Sequence, residues 1–424
     1  MKSLCLRSPS EAEKAEVSSM QWNVSKRSSI LCCAFFLTIT ILVSGQTPPD
    51  SSPIPASYFG MHYGDRTPSV RFGGRRLTLS WTWVQKNRGE WDYRRTDSLV
   101  QETLKEKDVD VIGGLAFSPS WASSKPNEDC PVGHGACWEP ANLQDWREYV
   151  KAMGNRYKGQ VHYWEIWNEP SEGAFYRSNV AALVTLTKAA YEELKRIDPG
   201  NQIISPSPVG APGFTWMDEF LRRGGGDYVD IVGFHFYFAP SPPESVFGEV
   251  AAVRAIMAKN GVRKPLWNDE FGWGGQKLDD RTAVAYIGRA MILSYAAGTS
   301  RAYWYLWGDP KVPLPLVQAD GVTPTPAGKA FGVLQEWLVG AVLKSCTSTD
   351  IPQAWHASHA PWTCDIQRGN ATSKIIWNPD GPAGMDIPTS WHVNRARNLE
   401  GDVSLIPPKG TGYGIQPLLL YWAP

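Results

Sequence analysis

The chain has 424 residues and balances 42 Lys plus Arg against 42 Asp plus Glu, so it carries no net charge. A nucleic-acid partner leaves a basic footprint, and the composition has none. The length accommodates one large domain and a smaller module. The 20 tryptophans are the unusual feature. Most belong in cores, where an indole buries a large area; those beside Asn, Glu or Gly in loop-like positions offer flat faces suited to sugar rings.

Lys26 and Arg27 precede an apolar run from Ile30 to Val43, and Val43-Ser44-Gly45 follows as a small-residue cleavage site. The run is shorter than the ~20 residues a membrane-spanning helix needs. Residues 1–45 therefore read as a signal peptide, with an uncleaved anchor as the alternative and Met20 as a second candidate start. Either places the remainder outside the cytoplasm, as a secreted, periplasmic or membrane-anchored protein. Cys5, Cys32 and Cys33 fall in this segment, and Cys130, Cys137, Cys346 and Cys364 remain. An even number suits an oxidising compartment. Proximity in sequence pairs Cys130 with Cys137 and Cys346 with Cys364. A zinc site of Cys130, His134 and Cys137 is the alternative, although it lacks the second ligand pair of usual zinc sites.

After a Pro/Ser linker over 46–56, strand-like apolar runs alternate with amphipathic helices. Strands are predicted at Tyr58–His62, Arg76–Trp81, Val109–Phe117, Val161–Trp167, Gln202–Ser207, Val229–Phe236, Pro265–Asp269 and Ala302–Trp307. Helices are predicted at Tyr93–Lys107, Leu143–Tyr157, Val180–Ile197, Glu244–Lys259 and Thr282–Ala297, with Asp92 as the N-cap of the first. Asp198-Pro199-Gly200 and Asn260-Gly261 are helix stops. Eight strands, most followed by a helix, predict an α/β fold of the (β/α)8 TIM-barrel type over 57–340. A doubly wound open sheet is the rival, but no G-x-G-x-x-G follows the first strand. Over 341–424 the runs Ser373–Trp377, Asp402–Ile406 and Pro417–Trp422 lie between turn residues. They predict a small C-terminal antiparallel β-module, a sandwich-like accessory domain. Asn370-Ala371-Thr372 is a glycosylation sequon.

Functional groups of a β/α barrel stand at the C-terminal ends of its strands. The fourth strand ends in Trp164-Glu165-Ile166-Trp167-Asn168-Glu169-Pro170, and the seventh in Leu266-Trp267-Asn268-Asp269-Glu270-Phe271-Gly272-Trp273. Glu169 and Glu270 thus share one rim, three β/α units apart. Cleavage of a glycosidic bond needs such a pair: one carboxyl to protonate the leaving oxygen, one carboxylate to attack or to activate water. Strand parity turns Glu165 inward as a buried structural carboxylate and points Asp269 away from Glu270.

Together these two segments resemble clan A of the glycoside hydrolases, retaining enzymes with the acid/base on strand four and the nucleophile on strand seven. The resemblance implies that Glu169 is the acid/base and Glu270 the nucleophile. It extends to Arg76 and Trp81 on strand two, His235-Phe236-Tyr237 on strand six and Tyr303-Trp304-Tyr305-Leu306-Trp307 on strand eight. Phe117-Ser118-Pro119-Ser120-Trp121-Ala122 resembles the strand-three end of family 39 and its relatives. By the same resemblance Arg76, Trp121, Asn168, His235, Tyr237 and Trp307 line the sugar site. The segment from Trp83 to Tyr93 lacks the clan's carboxylate and proline before Gly89, and Asp269 stands where Thr or Ser is commoner. Chemistry requires Glu270 ionised, with Arg76 and Tyr237 as partners, and Glu169 protonated, which repulsion from Glu270 provides.

The expected partner is a poly- or oligosaccharide. With no Walker loop, dinucleotide fingerprint or His-Glu-x-x-His, no cofactor or metal is expected, nor a nucleic acid or an obligate protein partner. Alternatives are a family 5-like endo-glucanase or mannanase, and a catalytically inactive carbohydrate-binding barrel.

Overall fold

The computed structural model describes residues 52–64, 66–352, 354–407 and 410–423. The apolar run Ile30–Val43, its flanking basic residues, the cleavage site and Cys5, Cys32 and Cys33 lie outside the described residues. Eight parallel strands follow: β1 Phe59–Tyr63, β2 Gly74–Thr78, β3 Asp110–Leu115, β4 Tyr163–Ile166, β5 Gln202–Ile204, β6 Val232–His235, β7 Leu266–Phe271 and β8 Arg301–Trp307. They pair in the order β5-β4-β3-β2-β1-β8-β7-β6, and bridges at Ile204–Ile231 and Val209–His235 close the ring. Helices α1 Arg94–Thr103, α2 Leu143–Arg156, α3 Val180–Ile197, α4 Gly210–Arg222, α5 Ser245–Lys259, α6 Asp280–Ala296 and α7 Pro326–Leu338 follow β2 to β8 in turn. The TIM barrel expected from the alternation is the fold observed.

Two helices had no clear signal in the sequence. Gly210, Pro212 and Gly213 open α4 and read as a turn; Gly213 is needed there because a Cβ would meet the Phe234 ring at 2.9 Å. Pro326 opens α7, pre-set for a first helical turn, and the Thr325 hydroxyl accepts the Gly328 N–H as its cap. The second strand stops at Thr78 rather than Trp81, because Trp81–Val84 coils into a single helical turn. Asp92 acts one residue outside α1, its carboxylate accepting the Arg94 N–H.

Inside the barrel, Ile112, Ile204, Ile231, Trp267 and Tyr303 fill the lower layer. Arg301 closes that end, its guanidinium over Tyr163 and Trp267 and 2.6 Å from Asp110. Gly60 leaves space for the Tyr303 ring, which a Cβ would enter. This packed floor lifts the polar residues to the opposite, C-terminal rim.

The C-terminal module is antiparallel, built from β9 Val342–Ser348, β10 Trp362–Arg368, β11 Ala371–Trp377, β12 Ala383–Met385, β13 Arg395–Arg397, β14 Val403–Leu405, β15 Thr411–Tyr413 and β16 Leu418–Tyr421. Six strands form one sheet in the order β14-β13-β16-β11-β10-β9, while β12 and β15 pair as a separate ribbon. The layer facing this sheet comes from the barrel. Trp362 stacks on Trp377 and lies 5.6 Å from Phe247 of α5, and Gly288 of α6 packs beneath Leu399 and Pro417.

A buried ion pair locks the two parts. Arg289 of α6 donates to Glu244 (2.6 Å), and Trp377 of β11 donates its indole N–H to the other oxygen (2.9 Å). Glu244→Ala leaves Arg289 buried and unpaired, so we expect a loss of about 3–5 kcal/mol, read as a lowered denaturant midpoint. An unchanged midpoint would show that the module does not depend on this lock.

Both bridges expected from sequence form, Cys130–Cys137 and Cys346–Cys364. The second joins directly opposed residues of β9 and β10. With both sulfurs of the first engaged, the zinc alternative has no thiolates to offer. Two disulfides are the mark of an extracytoplasmic protein. Among the described residues no helix is long and apolar enough to cross a membrane.

Candidate active site

On β2 the inward position goes to Arg76, which is 7% exposed and the hub of the rim. Its guanidinium holds both Glu165 oxygens (2.5 and 2.9 Å), Glu270 Oε2 (2.8 Å) and Asn168 Oδ1 (2.7 Å). Glu165 is fully buried on β4, where strand parity puts it. Beyond β4 the chain leaves strand geometry: Trp167 and Glu169 have φ of 69° and 41°, left-handed values that cost a non-glycine residue energy. That backbone is held by the Glu169 N–H donating to the Ser207 carbonyl (3.1 Å) and by the Trp167 indole donating to Phe175. The result turns Glu169 into the barrel mouth, 3% exposed, with His235 Nδ1 2.9 Å from its Oε1.

On β7 the alternation fails, and the failure shapes the site. Trp267 pairs with Gly233 and Glu270 with His235, so three residues of β7 span what two of β6 span, a β-bulge. Asp269 consequently does not turn away as parity predicts. Both Asp269 and Glu270 face inward, Asp269 one step lower, where the Ser207 hydroxyl donates to its Oδ2 at 2.7 Å. Tyr237 donates to Glu270 Oε1 at 2.8 Å.

The electrostatics divide the two upper carboxyls. Burial pushes Glu169 up to about 7, opposed by Arg76 and reinforced by Glu165. The proton expected on this residue is therefore held chiefly by desolvation, with Glu165 rather than Glu270 as the like charge. Glu270 is also raised, chiefly by burial and further by the Glu169 charge, while Arg76 and the Tyr237 hydroxyl act to lower it. Burial and the Glu270 charge push the Tyr237 phenol well above its ordinary range, so it keeps the proton it donates. Ligand-type oxygens of Glu169 and Glu270 and a nitrogen of His235 lie within 4.8 Å of one another.

The structure thus gathers Glu169, Glu270, Arg76, Asn168, His235 and Tyr237 into one hydrogen-bonded cluster. Trp121 and Trp307 stand outside it. Trp121 lies in the loop after β3, its N–H on the Gln85 carbonyl, its edge on Trp81 and Arg88 over its ring. Trp304 and Trp307 are fully buried, Trp304 against Phe271, and neither ring offers a face to a ligand here. The partly exposed aromatic of β8 is Tyr305, 5.4 Å from the His62 ring. His62 was not singled out in the sequence. It sits on β1 with Nε2 3.0 Å from the Asp269 carbonyl and Nδ1 3.9 Å from Glu270, and burial with the Arg76 charge keeps it neutral. Two positions after the inward Gly60, at a strand end, its parity was the available signal. The Cys130–Cys137 loop reaches the same rim, since Arg177, beyond β4, donates to the carbonyls of Cys137 and Asp129.

A β/α barrel with paired, oppositely furnished carboxyls at its C-terminal mouth is a glycosidase architecture. Residues 117–331 match the family described as "Glycosyl hydrolase catalytic core", and the chain belongs to that family: it is a glycosidase. Solved structures agree on the fold. A family 39 glycoside hydrolase from the gut symbiont Bacteroides cellulosilyticus superposes with TM-score 0.71 at 17% identity, covering 88% of this chain and 81% of that one. A GH39 β-xylosidase from Caulobacter crescentus gives 0.62 at 16%, over 89% and 98%. The catalytic domain of GH30 xylanase C from Talaromyces cellulolyticus gives 0.60 at 11%, over 89% and 99%. No curated protein matches the sequence.

Proposed function

We propose that this glycosidase cleaves β-glycosidic bonds of oligo- or polysaccharides with retention, Glu169 serving as acid/base and Glu270 as nucleophile. The observation that supports the reading is that one oxygen of Glu169 and one of Glu270 lie within 4.8 Å of each other, closer than the gap an inverting enzyme keeps for its water. Retaining enzymes need ~5–5.5 Å between carboxyl groups, inverting ones ~6.5–9.5 Å to admit a water. In the first step Glu270, kept anionic by Arg76 and Tyr237, attacks the anomeric carbon while Glu169 protonates the departing oxygen. In the second, Glu169 takes a proton from water, which displaces Glu270. Asn168, its carbonyl oxygen held by Arg76, has its amide NH2 free to donate to the sugar 2-hydroxyl.

β-Xylosides and β-glucosides are the first substrates to test, as the similar folds include a β-xylosidase and a glucosidase. Proton NMR of the first-formed sugar should show the β anomer; an initial α anomer rejects Glu270 as nucleophile. The protein is read as exported through residues 1–45, so N-terminal sequencing of the mature form should begin near Gln46. A mature chain that starts at Met1 or Met20 favours the anchor.

A further inference from the structure

Beneath the two catalytic candidates lies a buried set that the double displacement does not use. His235 Nε2 points down between Glu165 Oε1 and Asp269 Oδ1, 3.8 Å from each. At that distance these are charge contacts, not hydrogen bonds. Among the described residues, His235 Nε2 and Asp269 Oδ1 are both fully buried polar atoms without a hydrogen-bond partner. Such groups are rare, because each costs the desolvation that a partner normally offsets. Two of them facing each other need an explanation.

The local backbone is built for the lower carboxylate. The β7 bulge turns Asp269 inward, and Ser207 fixes its other oxygen. Gly233 on β6 clears the space: a Cβ there would collide with Ser207 Oγ and stand 2.8 Å from Asp269 Oδ2. Glu165 is a poorer partner for His235, since Arg76 already holds both its oxygens. Asp269 Oδ1 is the acceptor left over.

We propose that Asp269 is a positioning residue of the glycosidase reaction: it keeps the proton of His235 on Nε2, so that Nδ1 presents a lone pair to the carboxylic acid of Glu169. A lone pair on Nε2 would face two carboxylates, whereas an N–H there is attracted by both. In the free enzyme Nδ1, 2.9 Å from Glu169, then accepts a hydrogen bond that only the protonated form of Glu169 can donate, and when substrate binds that same proton turns from Nδ1 to the departing oxygen. The same contact disfavours the Glu169 anion after proton transfer, and so favours its taking a proton back from water in the second step. Burial and the Glu165 charge raise Asp269 above the ordinary carboxylate range, opposed by Arg76 and Ser207, so its hold on His235 strengthens as pH rises and it ionises.

The other ionisable groups around Glu169 and His235 are His62 on β1, Arg76 on β2, Glu165 on β4, Glu172 beyond it, Tyr237 after β6 and Glu270 on β7. None of them offers Nε2 a free acceptor at the distance of Asp269 Oδ1.

The proposal rests on Glu169 being the acid, and its test separates the two. Long-range 15N NMR of histidine-labelled wild type reads the tautomer directly: Nε2 protonated and Nδ1 bare is expected, and the reverse overturns the proposal. In kinetics, the pH profile of kcat/KM is measured on the phenyl and dinitrophenyl β-xylosides, or on the β-glucosides if those turn over faster. Phenol needs protonation to leave and dinitrophenol does not. Asp269→Asn should move the upper limb for the phenyl substrate down by about one pH unit, the scale for losing one close charge, and leave the dinitrophenyl profile in place. Asp269→Ala should move it further. An even loss on both substrates with unmoved limbs means a structural role only and sinks the proposal. If wild type itself shows no upper limb that distinguishes the two substrates, the acid assignment of Glu169 fails, while the NMR result still judges Asp269.

Discussion

On the proposed roles, Glu270→Ala should lose turnover on every glycoside, by on the order of 10^5–10^6-fold, the scale of deleting a nucleophile that forms a covalent intermediate. No leaving group relieves this loss, because the missing bond is the one to the anomeric carbon. Glu169→Ala behaves differently. Removing a general acid costs about 10^2–10^4-fold where protonation is needed, and little in the first step when the leaving group is dinitrophenol. The glycosyl-enzyme then accumulates, since no base activates water. Azide needs no such base; it attacks the intermediate and restores turnover, giving a β-glycosyl azide. With Glu270→Ala, azide enters from the vacated nucleophile side and gives the α product. The pH profile adds a second signature. Activity of wild type on phenyl glycosides should fall as pH rises through about 7, to which burial raises Glu169. That limb is absent from Glu169→Ala. Equal responses of both variants to azide, or full activity of Glu169→Ala on unactivated substrates, reverse or reject the roles.

How much of this site could be read from the chain depends on where period-two logic holds. It holds on β4, where parity alone turns Glu165 inward; Arg76 on β2 is inward as well, but the sequence marks it only through the resemblance to clan A. Parity fails on β7, because a bulge is a register relation between two strands and leaves no mark in either sequence. Asp269 therefore looked like an outward neighbour of Glu270, although it lies beneath it. On β8 the motif offered Trp304 and Trp307, but which aromatic is buried depends on the packing of Phe271 against that strand, and Tyr305 is the one beside His62. The cause of the elevated Glu169 is not legible in the chain for a related reason: burial dominates, and the like charge is Glu165 rather than Glu270. Charge pairs can be counted in a sequence, whereas desolvation depends on how the left-handed turn at Trp167 and Glu169 sinks the carboxyl. The helices missed, α4 and α7, carry Gly and Pro at their starts, residues whose local message is a turn. The eight-strand alternation was legible throughout because hydrophobic periodicity is a property of each segment separately.

Arg76→Ala should damage the protein twice, in stability and in catalysis. Its side chain links Glu165, Asn168 and Glu270, and its removal strands Glu165 as a fully buried carboxylate without its bidentate partner. Breaking a buried pair from one side costs about 3–5 kcal/mol, so the denaturant midpoint drops. In catalysis the sign follows from the two carboxyls. Arg76 lowers the proton affinity of both Glu169 and Glu270, so without it both bind protons more tightly. The nucleophile must be ionised, and activity rises with pH through its pKa; that lower limb moves to higher pH. The acid must be protonated, so the upper limb moves up as well. The whole bell of kcat/KM shifts alkaline by about one to three pH units, the range for a lost neighbouring charge, and its height falls because Asn168 is no longer oriented. Arg76→Lys keeps a cation but not the planar fork that reaches three partners at once. It should recover part of the pH shift while leaving Asn168 and one carboxylate unsatisfied. The measurements are denaturant melts and pH–rate profiles of both variants on the same aryl glycoside. If Arg76→Ala lowers activity evenly at every pH and leaves both limbs in place, the arginine is a strut of the barrel and not the charge that sets its two carboxyls.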